Sequence, residues 1–246
     1  MNQLFPFQWI SAAATHVGKV RTINEDAFLE RAECGLWAVA DGMGGHHAGD
    51  VASRTIVEQL AAVQSHVNFS ALVDEVEQRL FAANRLMHDL AAGQQPPTVM
   101  GSTVAVLLAH RRHCLSMWAG DSRVYRLRAG TLQQITRDHS QIQQWVTQGF
   151  LSEEEADRHP AANIVTRAVG AEPLLHLDME LRALEEGDRY LVCSDGLYRE
   201  LAATELEALL ARGKCSAACQ ALIDAALARR ARDNLTALVV DFFTRV

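Results

Sequence analysis

The chain has 246 residues, 49% of them hydrophobic, with 23 Lys and Arg against 30 Asp and Glu and a net charge of -7. That is enough apolar content to bury a sizeable core in one large domain or two small ones, and the acidic balance disfavours nucleic acid as a partner, a local basic patch aside. No apolar run reaches the roughly 18–20 residues of a membrane span, and residues 1–8 lack the basic-then-apolar order of a secretory signal.

The five cysteines, Cys34, Cys114, Cys193, Cys215 and Cys219, are odd in number and scattered, which argues against a disulfide framework and for a reducing cytoplasm. Cys34, Cys114 and Cys193 lie in or beside apolar runs and read as core thiols. Cys215 and Cys219 share a helix face, but no partner pair follows at zinc-finger spacing.

Residues 9–17 read as a first strand, broken at Gly18. Arg21-Thr22-Ile23-Asn24-Glu25-Asp26 follows, then the short apolar stretch 27–29. In extended chain Glu25 and Asp26 face opposite sides, so one can line a site while the other meets solvent or a second ion. The commoner use of an isolated Glu-Asp pair is a solvated acidic loop. Residues 36–40, Leu-Trp-Ala-Val-Ala, form a buried-strand run that delivers Asp41 to a sheet edge. Gly42, Gly44 and Gly45 then permit positive φ and close backbone approach. Taken alone, this stretch also reads as a tight turn with Asp41 as turn former.

Residues 48–66 are expected to be helical, with Val51, Ile56, Val57, Leu60 and Val63 near one face. Residues 71–90 repeat the pattern with Leu72, Val76, Leu80, Met87 and Leu90; Ser70 is the expected N-cap, and Gly93 with Pro96-Pro97 the stop. Two apolar runs, 103–109 and 114–119, flank the polar turn His110-Arg111-Arg112-His113 in a hairpin pattern. Gly120-Asp121-Ser122-Arg123 leads to a second strand pair, 124–127 and 132–135, around Ala129-Gly130. Successive strands without intervening helices favour antiparallel pairing.

Residues 136–165 form a polar insertion with a helix at 141–148. A second short helix is expected from the Ser152-x-x-Glu155 capping box, stopped by His159-Pro160. The insertion reads as a mobile, substrate-facing element or as a surface excursion. Residues 176–182 and 190–194 are strands, the second ending in Asp195-Gly196. Two Ala- and Leu-rich helices at 201–211 and 216–230 precede Arg232-Asp233-Asn234 and a last strand at 237–243. No repeat or linker divides the chain, so residues 1–246 read as one domain. The expected class is α+β, two face-to-face sheets with a helix pair on each outer side.

Asp41, Asp121 and Asp195 stand at strand ends, and Asp26 and Asp233 just before strands. Gathered in low dielectric, such carboxylates either rise steeply in pKa or are held by cations. With almost no Lys nearby, divalent ions are the better counter-charge, and an all-oxygen shell suits Mg²⁺ or Mn²⁺ rather than Zn²⁺. Two such ions can activate a water and clamp a phosphoryl oxygen.

Arg21-x-x-Asn24-Glu25-Asp26, Asp41-Gly42-Met43-Gly44-Gly45, Gly101-Ser102-Thr103, Gly120-Asp121-Ser122-Arg123, Asp138-His139, Ser194-Asp195-Gly196 and Arg232-Asp233-Asn234 occur in one order. Together they resemble the metal-dependent protein serine/threonine phosphatases of the type 2C (PPM) family in its compact bacterial form. The resemblance runs from about Ala12 to Phe243. It implies a four-layer α-β-β-α sandwich and two or three Mn²⁺ or Mg²⁺ ions. It assigns Asp41 as a bridge between two metals, with the Gly42 carbonyl on one of them and Asp195 and Asp233 on the other. Glu25 and Asp26 would anchor the metals or their waters, and Asp121 a third, weaker ion. Arg21 would grip the substrate phosphate, while a water bridging the metals attacks phosphorus without a covalent intermediate. The 136–165 insertion would be the family's flap.

One position departs from the pattern of animal members, which often carry His after the Asp-Gly as general acid. Here it is Met43, as in bacterial relatives, and His46, His47 or a metal-bound water is the candidate donor. The expected partners are phosphorylated proteins and a cognate serine/threonine kinase, with a forkhead-associated scaffold of type VI secretion as a narrower possibility, and the expected state is a cytoplasmic monomer. A catalytically silent phosphoprotein binder would have lost core aspartates, whereas Asp41, Asp195, Asp233 and Arg21 are all present. A hydrolase of small phosphate esters would show no preference for phosphopeptides.

Overall fold

The computed structural model describes residues 7–44, 48–93, 100–152, 155, 159, 161 and 164–244. In chain order the elements are β1 (Gln8–His16), β2 (Asp26–Arg31), β3 (Leu36–Met43), α1 (Ala48–Ala61), α2 (Phe69–Ala92), β4 (Gly101–Ser102), β5 (Val104–His110), β6 (His113–Ala119), β7 (Arg123–Arg128) and β8 (Thr131–Gln134). They continue with α3 (Gln141–Thr147), β9 (Asp178–Ala183), β10 (Arg189–Cys193), α4 (Asp195–Tyr198), α5 (Ala203–Leu210), α6 (Cys215–Leu227) and β11 (Leu235–Phe243).

The strands form two sheets, β1-β11-β10-β7-β8 and β2-β3-β5-β6-β9, with β4 paired to β3. Every strand pair is antiparallel. The two-residue period of each strand sorts its side chains between two cores. On β3, Leu36, Ala38 and Ala40 face α1 and α2, while Trp37 and Val39 face the opposite sheet. On β11, Leu235, Ala237 and Val239 face α5 and α6, while Leu238, Val240 and Phe242 point inward. Both faces of the central strands are therefore apolar, which is why they appear as continuous hydrophobic runs. The result is the expected α-β-β-α order, with three buried clusters separating four layers. Between the sheets, Trp37 meets Trp9 and Phe242 edge to face at centroid distances of 5.8 and 6.1 Å.

Local chemistry explains most boundaries. The β5–β6 hairpin closes with His110 opposite His113, and Arg111 takes φ 55 at the turn. Ala129 and Gly130 both have positive φ, the backbone a two-residue hairpin requires between β7 and β8. Helix α2 starts earlier than expected. Its N-cap is Asn68, whose Oδ1 accepts from the Ser70 N–H at 3.0 Å, so Ser70 lies inside the first turn rather than capping it. Val51 and Leu90, placed on apolar faces by periodicity, are exposed at the margins of those stripes. Val63 is buried, but beyond the end of α1.

The one-turn helix α4 is not among the expected elements; Asp195 opens it rather than ending a strand in a plain turn. Ser152 and Glu155 form the reciprocal capping box, the Ser152 N–H donating to Glu155 Oε2 at 2.9 Å and the Glu155 N–H to Ser152 Oγ at 3.3 Å. Pro160, Pro96 and Pro97 lie outside the described residues. All five cysteines are buried and free. Among the described residues, no helix is long and apolar enough to cross a membrane.

Trp37 is fully buried between the sheets and its indole N–H donates to Ser11 Oγ. Trp37→Ala is expected to cost about 3–5 kcal/mol of unfolding free energy, read from urea denaturation. A loss below about 1 kcal/mol would contradict an interlayer core built on this side chain.

Candidate metal centre

One end of the sandwich collects the aspartates. The β2–β3 register sets Asp26 directly opposite Asp41, which puts the two side chains on the same face. Asp26 reaches across to the other sheet, where its Oδ2 accepts from Ser194 Oγ and Thr236 Oγ1, both at 2.7 Å. Its Oδ1 is buried with no hydrogen-bond partner among the described residues. Burial pushes Asp26 up to about 7 against the pull of those two hydroxyls, and Asp195 and Asp233 add to the rise.

Asp41 is fixed through its backbone. Its N–H donates to Thr103 Oγ1 at 3.2 Å, and its carbonyl accepts from the Thr103 N–H at 2.9 Å and from Ser102 Oγ at 3.0 Å. Burial raises its carboxyl well above the ordinary range, and Asp26, Asp195, Asp121 and Asp233 reinforce the rise, so the other four aspartates converge on Asp41. Asp195, the first residue of α4, stands within hydrogen-bonding reach of Asp41 and is also raised, chiefly by burial.

Two glycines permit the crowding. A Cβ on Gly42 would stand 1.9 Å from the Gly49 carbonyl oxygen. One on Gly49, in the first turn of α1, would stand 2.5 Å from Glu25 Oε1 and 2.8 Å from the Gly42 carbonyl oxygen. The Glu25 carboxylate and the Gly42 carbonyl therefore both stand against the backbone of that turn. Glu25 is not turned away into a solvated loop; it and Asp26 flank the same cluster.

Asp233 Oδ2 receives Arg21 Nη2 at 2.9 Å, and its Oδ1 accepts from the Asn234 N–H at 3.0 Å. Asn234, buried beside it, fastens three segments. Its Nδ2 donates to the Val17 and Ile23 carbonyls, and its Oδ1 accepts from the Glu25 N–H at 2.8 Å. Asp121 is almost fully buried and is pushed up to about 7 by burial, with Asp195 and Asp138 adding to the rise. Arg123 clamps Asp138 through Nε and Nη2 and lies 3.6 Å above the Tyr198 ring, whose hydroxyl donates to the Asp121 carbonyl.

The positions singled out in sequence thus come together: Arg21, Glu25, Asp26, Asp41, Gly42, Asp121, Asp195 and Asp233. His46 and His47 lie outside the described residues. Asn234, Ser194, Thr236 and Arg199 belong to the same place; Asn234 and Ser194 stand inside the quoted motifs without an assigned role, and Thr236 and Arg199 lie outside them. Among the described residues, no three His, Cys, Asp or Glu side chains close on a single point as a finished metal cage; several carboxylates are tied instead to arginines and hydroxyls. The donors still fit hard divalent cations. They are oxygen only, they repel one another, and the orphaned Asp26 Oδ1 is a buried acceptor awaiting a positive charge.

Residues 15–238 match the family described as Protein phosphatase 2C. The chain belongs to that family. This phosphatase is 32% identical over 235 residues to the serine/threonine phosphatase stp of Listeria welshimeri, spanning 92% of the chain and 93% of that relative. The solved structure of PppA, a key regulatory component of the T6SS in Pseudomonas aeruginosa, matches with a TM-score of 0.89 at 42% identity, over 96% of this chain and 98% of that one. The catalytic domain of the serine/threonine phosphatase PstP, solved in complex with two manganese ions, matches with a TM-score of 0.86 at 31% identity, over 96% and 99% of the two chains. The fold expected from the motifs is the fold of these phosphatases.

The raised carboxyls set a pH dependence for the metal-free protein. Asp26 and Asp121 titrate at about 7 when folded and near 3.8 when unfolded, so between those values the fold holds more protons than the unfolded chain. Their contribution to stability is fully present below the lower value and is lost as pH rises through about 7. Thermal unfolding in chelator is expected to show a higher Tm near pH 5.5 than near pH 8. Asp26→Asn should flatten that slope, and Mn²⁺ should restore Tm at pH 8. A metal-free Tm that climbs with pH across this window would contradict the arrangement.

Proposed function

We propose that this phosphatase hydrolyses phosphoserine and phosphothreonine in proteins, reversing a serine/threonine kinase, with Mn²⁺ or Mg²⁺ held by Asp41, Asp195, Asp233, Asp26, Glu25 and the Gly42 carbonyl. The observation that carries the reading is the convergence of four aspartates on Asp41, one of which, Asp26, carries a buried oxygen with no hydrogen-bond partner among the described residues. Divalent ions bound there would supply an activated water and neutralise charge on the transferred phosphoryl group.

The chain's own residues prepare the reaction in three ways. Asp41 is held at backbone level by Ser102 and Thr103, so the Cα from which its carboxylate projects is fixed. Arg21 is half exposed at the rim, and among the described residues its side chain is tied by a single bond, from Nη2 to Asp233. The rest of its guanidinium fork is available to a phosphate arriving from solvent. Asn234 keeps Glu25 and Asp233 in register, coupling the loop that carries Arg21 to the loop that precedes β11. Met43 has no proton to give, so His46 or His47 is proposed to protonate the leaving alkoxide.

The same reading makes residues 1–246 one catalytic domain with residues 136–165 as a flap beside the cleft. Strand–flap bonds support that placement, the His139 N–H donating to the Gly120 carbonyl and its Nδ1 accepting from the Gly120 N–H, next to Asp121. A cytoplasmic monomer that resets a phosphorylated forkhead-associated scaffold of type VI secretion is the narrower proposal. The likeness to PppA supports it.

Release of phosphate from a phosphothreonine peptide tests the function. Activity is expected with Mn²⁺ and to vanish in chelator. Asp195→Ala should lower kcat/KM by at least about 100-fold, more than loss of an outer metal-shell partner costs. Arg21→Ala should act mainly on KM. Turnover that persists in chelator and in Asp195→Ala would overturn the reading.

A further inference from the structure

Arg199 belongs to none of the sequence motifs, yet it sits inside the carboxylate cluster. It lies one helical turn after Asp195 in α4, and that spacing folds its side chain back over its own helix start. Its Nε stands 2.8 Å from Asp195 Oδ2, and its Nη2 stands 3.3 Å from Asp121 Oδ2. The guanidinium therefore spans the two carboxylates that β6 and β10 deliver to this end of the sandwich. Its neighbours fix it there. Tyr198 ties to the Asp121 backbone through its hydroxyl, and the Tyr198 ring is itself covered by Arg123, which Asp138 holds.

The charges at this end of the sandwich give the position meaning. Glu25 and the five aspartates present six formal negative charges, and Arg21 and Arg199 present two positive ones. The four charges left over are matched by two divalent ions. A third ion would leave the unliganded site net positive. A tethered guanidinium also has an advantage over a free ion, because its effective local concentration is set by its short connection to Asp195 rather than by the metal in solution.

We propose that Arg199 is a built-in counter-cation on the Asp121 side of the cluster, so that Asp121 anchors Arg199 while two divalent ions bind on the Asp41 side. The proposal rests on the metal-dependent reading above and narrows it. Arg199 is a positioning residue, acting through Asp195 and Asp121 rather than on the substrate.

The test is Mn²⁺ binding to the purified full chain, by equilibrium dialysis and calorimetric titration, for the wild type, Arg199→Gln, Asp121→Asn and the double variant. The wild type is expected to saturate with a pair of ions. Arg199→Gln should gain about one further ion, because it leaves Asp121 and Asp195 facing each other without a cation. Asp121→Asn should lose none, and the double variant should lose the ion gained. Asp121→Asn keeps the assignment falsifiable where Arg199→Gln does not fold. Loss of one bound ion in Asp121→Asn, or no gain in a folded Arg199→Gln, overturns the Arg199 assignment while leaving a metal-dependent phosphatase intact. A wild type that binds no Mn²⁺ and still dephosphorylates peptide overturns both.

Discussion

Mutual repulsion among buried carboxylates is the constraint that the rest of the molecule answers to. Asp26 and Asp41 face each other across β2 and β3, Asp195 opens α4 within reach of Asp41, and Asp121 and Asp233 close in from β6 and the entry to β11. No isolated loop would hold such a group together. Two apolar sheets with helices on their outer faces provide the rigidity, and strand ends are where it can be spent on charge without breaking the core. The Ser102 hydroxyl and the Thr103 backbone and hydroxyl, bonded to the backbone of Asp41, and the side chain of Asn234 transmit that rigidity to the acidic residues.

The cluster then shows graded compensation. Asp26 gains two hydroxyl donors on one oxygen and none on the other. Asp233 gains Arg21, and Asp195 and Asp121 share Arg199. Asp41, in the middle, is raised by burial and by Asp26, Asp195, Asp121 and Asp233 together. A divalent cation is the natural completion at that point, where local pairing runs out.

Much of this is legible in sequence because it obeys short-range rules. The continuous apolar character of 36–40, 103–109 and 237–243 announces strands buried on both faces, and hence two stacked sheets. The Asp-Gly pairs at strand ends announce the site, since each strand gives a fixed direction to the residue at its end. The contributions of Asn234, Ser194 and Thr236 are hidden. Their bonds join residues about 170 to 220 positions apart, and although Ser194 and Asn234 stand inside the quoted motifs, nothing in a local window says which distant carbonyl or carboxylate they will meet. Arg199 is hidden for a different reason. A short turn after Asp195-Gly196 looks like punctuation, and only when α4 forms does its i, i+4 geometry bring the guanidinium back onto the cluster. The cap of α2 falls on Asn68 rather than Ser70 because both residues suit the role and the backbone, not composition, decides between them.

The central claim is that the aspartates gathered at the sandwich end are a divalent-cation site. Anomalous diffraction from crystals grown with Mn²⁺ tests it most directly, because manganese can be located without assumption about its ligands. Strong manganese peaks are expected within the cluster, one of them beside Asp26 Oδ1 and Asp41. Fully occupied manganese elsewhere on the protein, with none among these carboxylates, would contradict the claim.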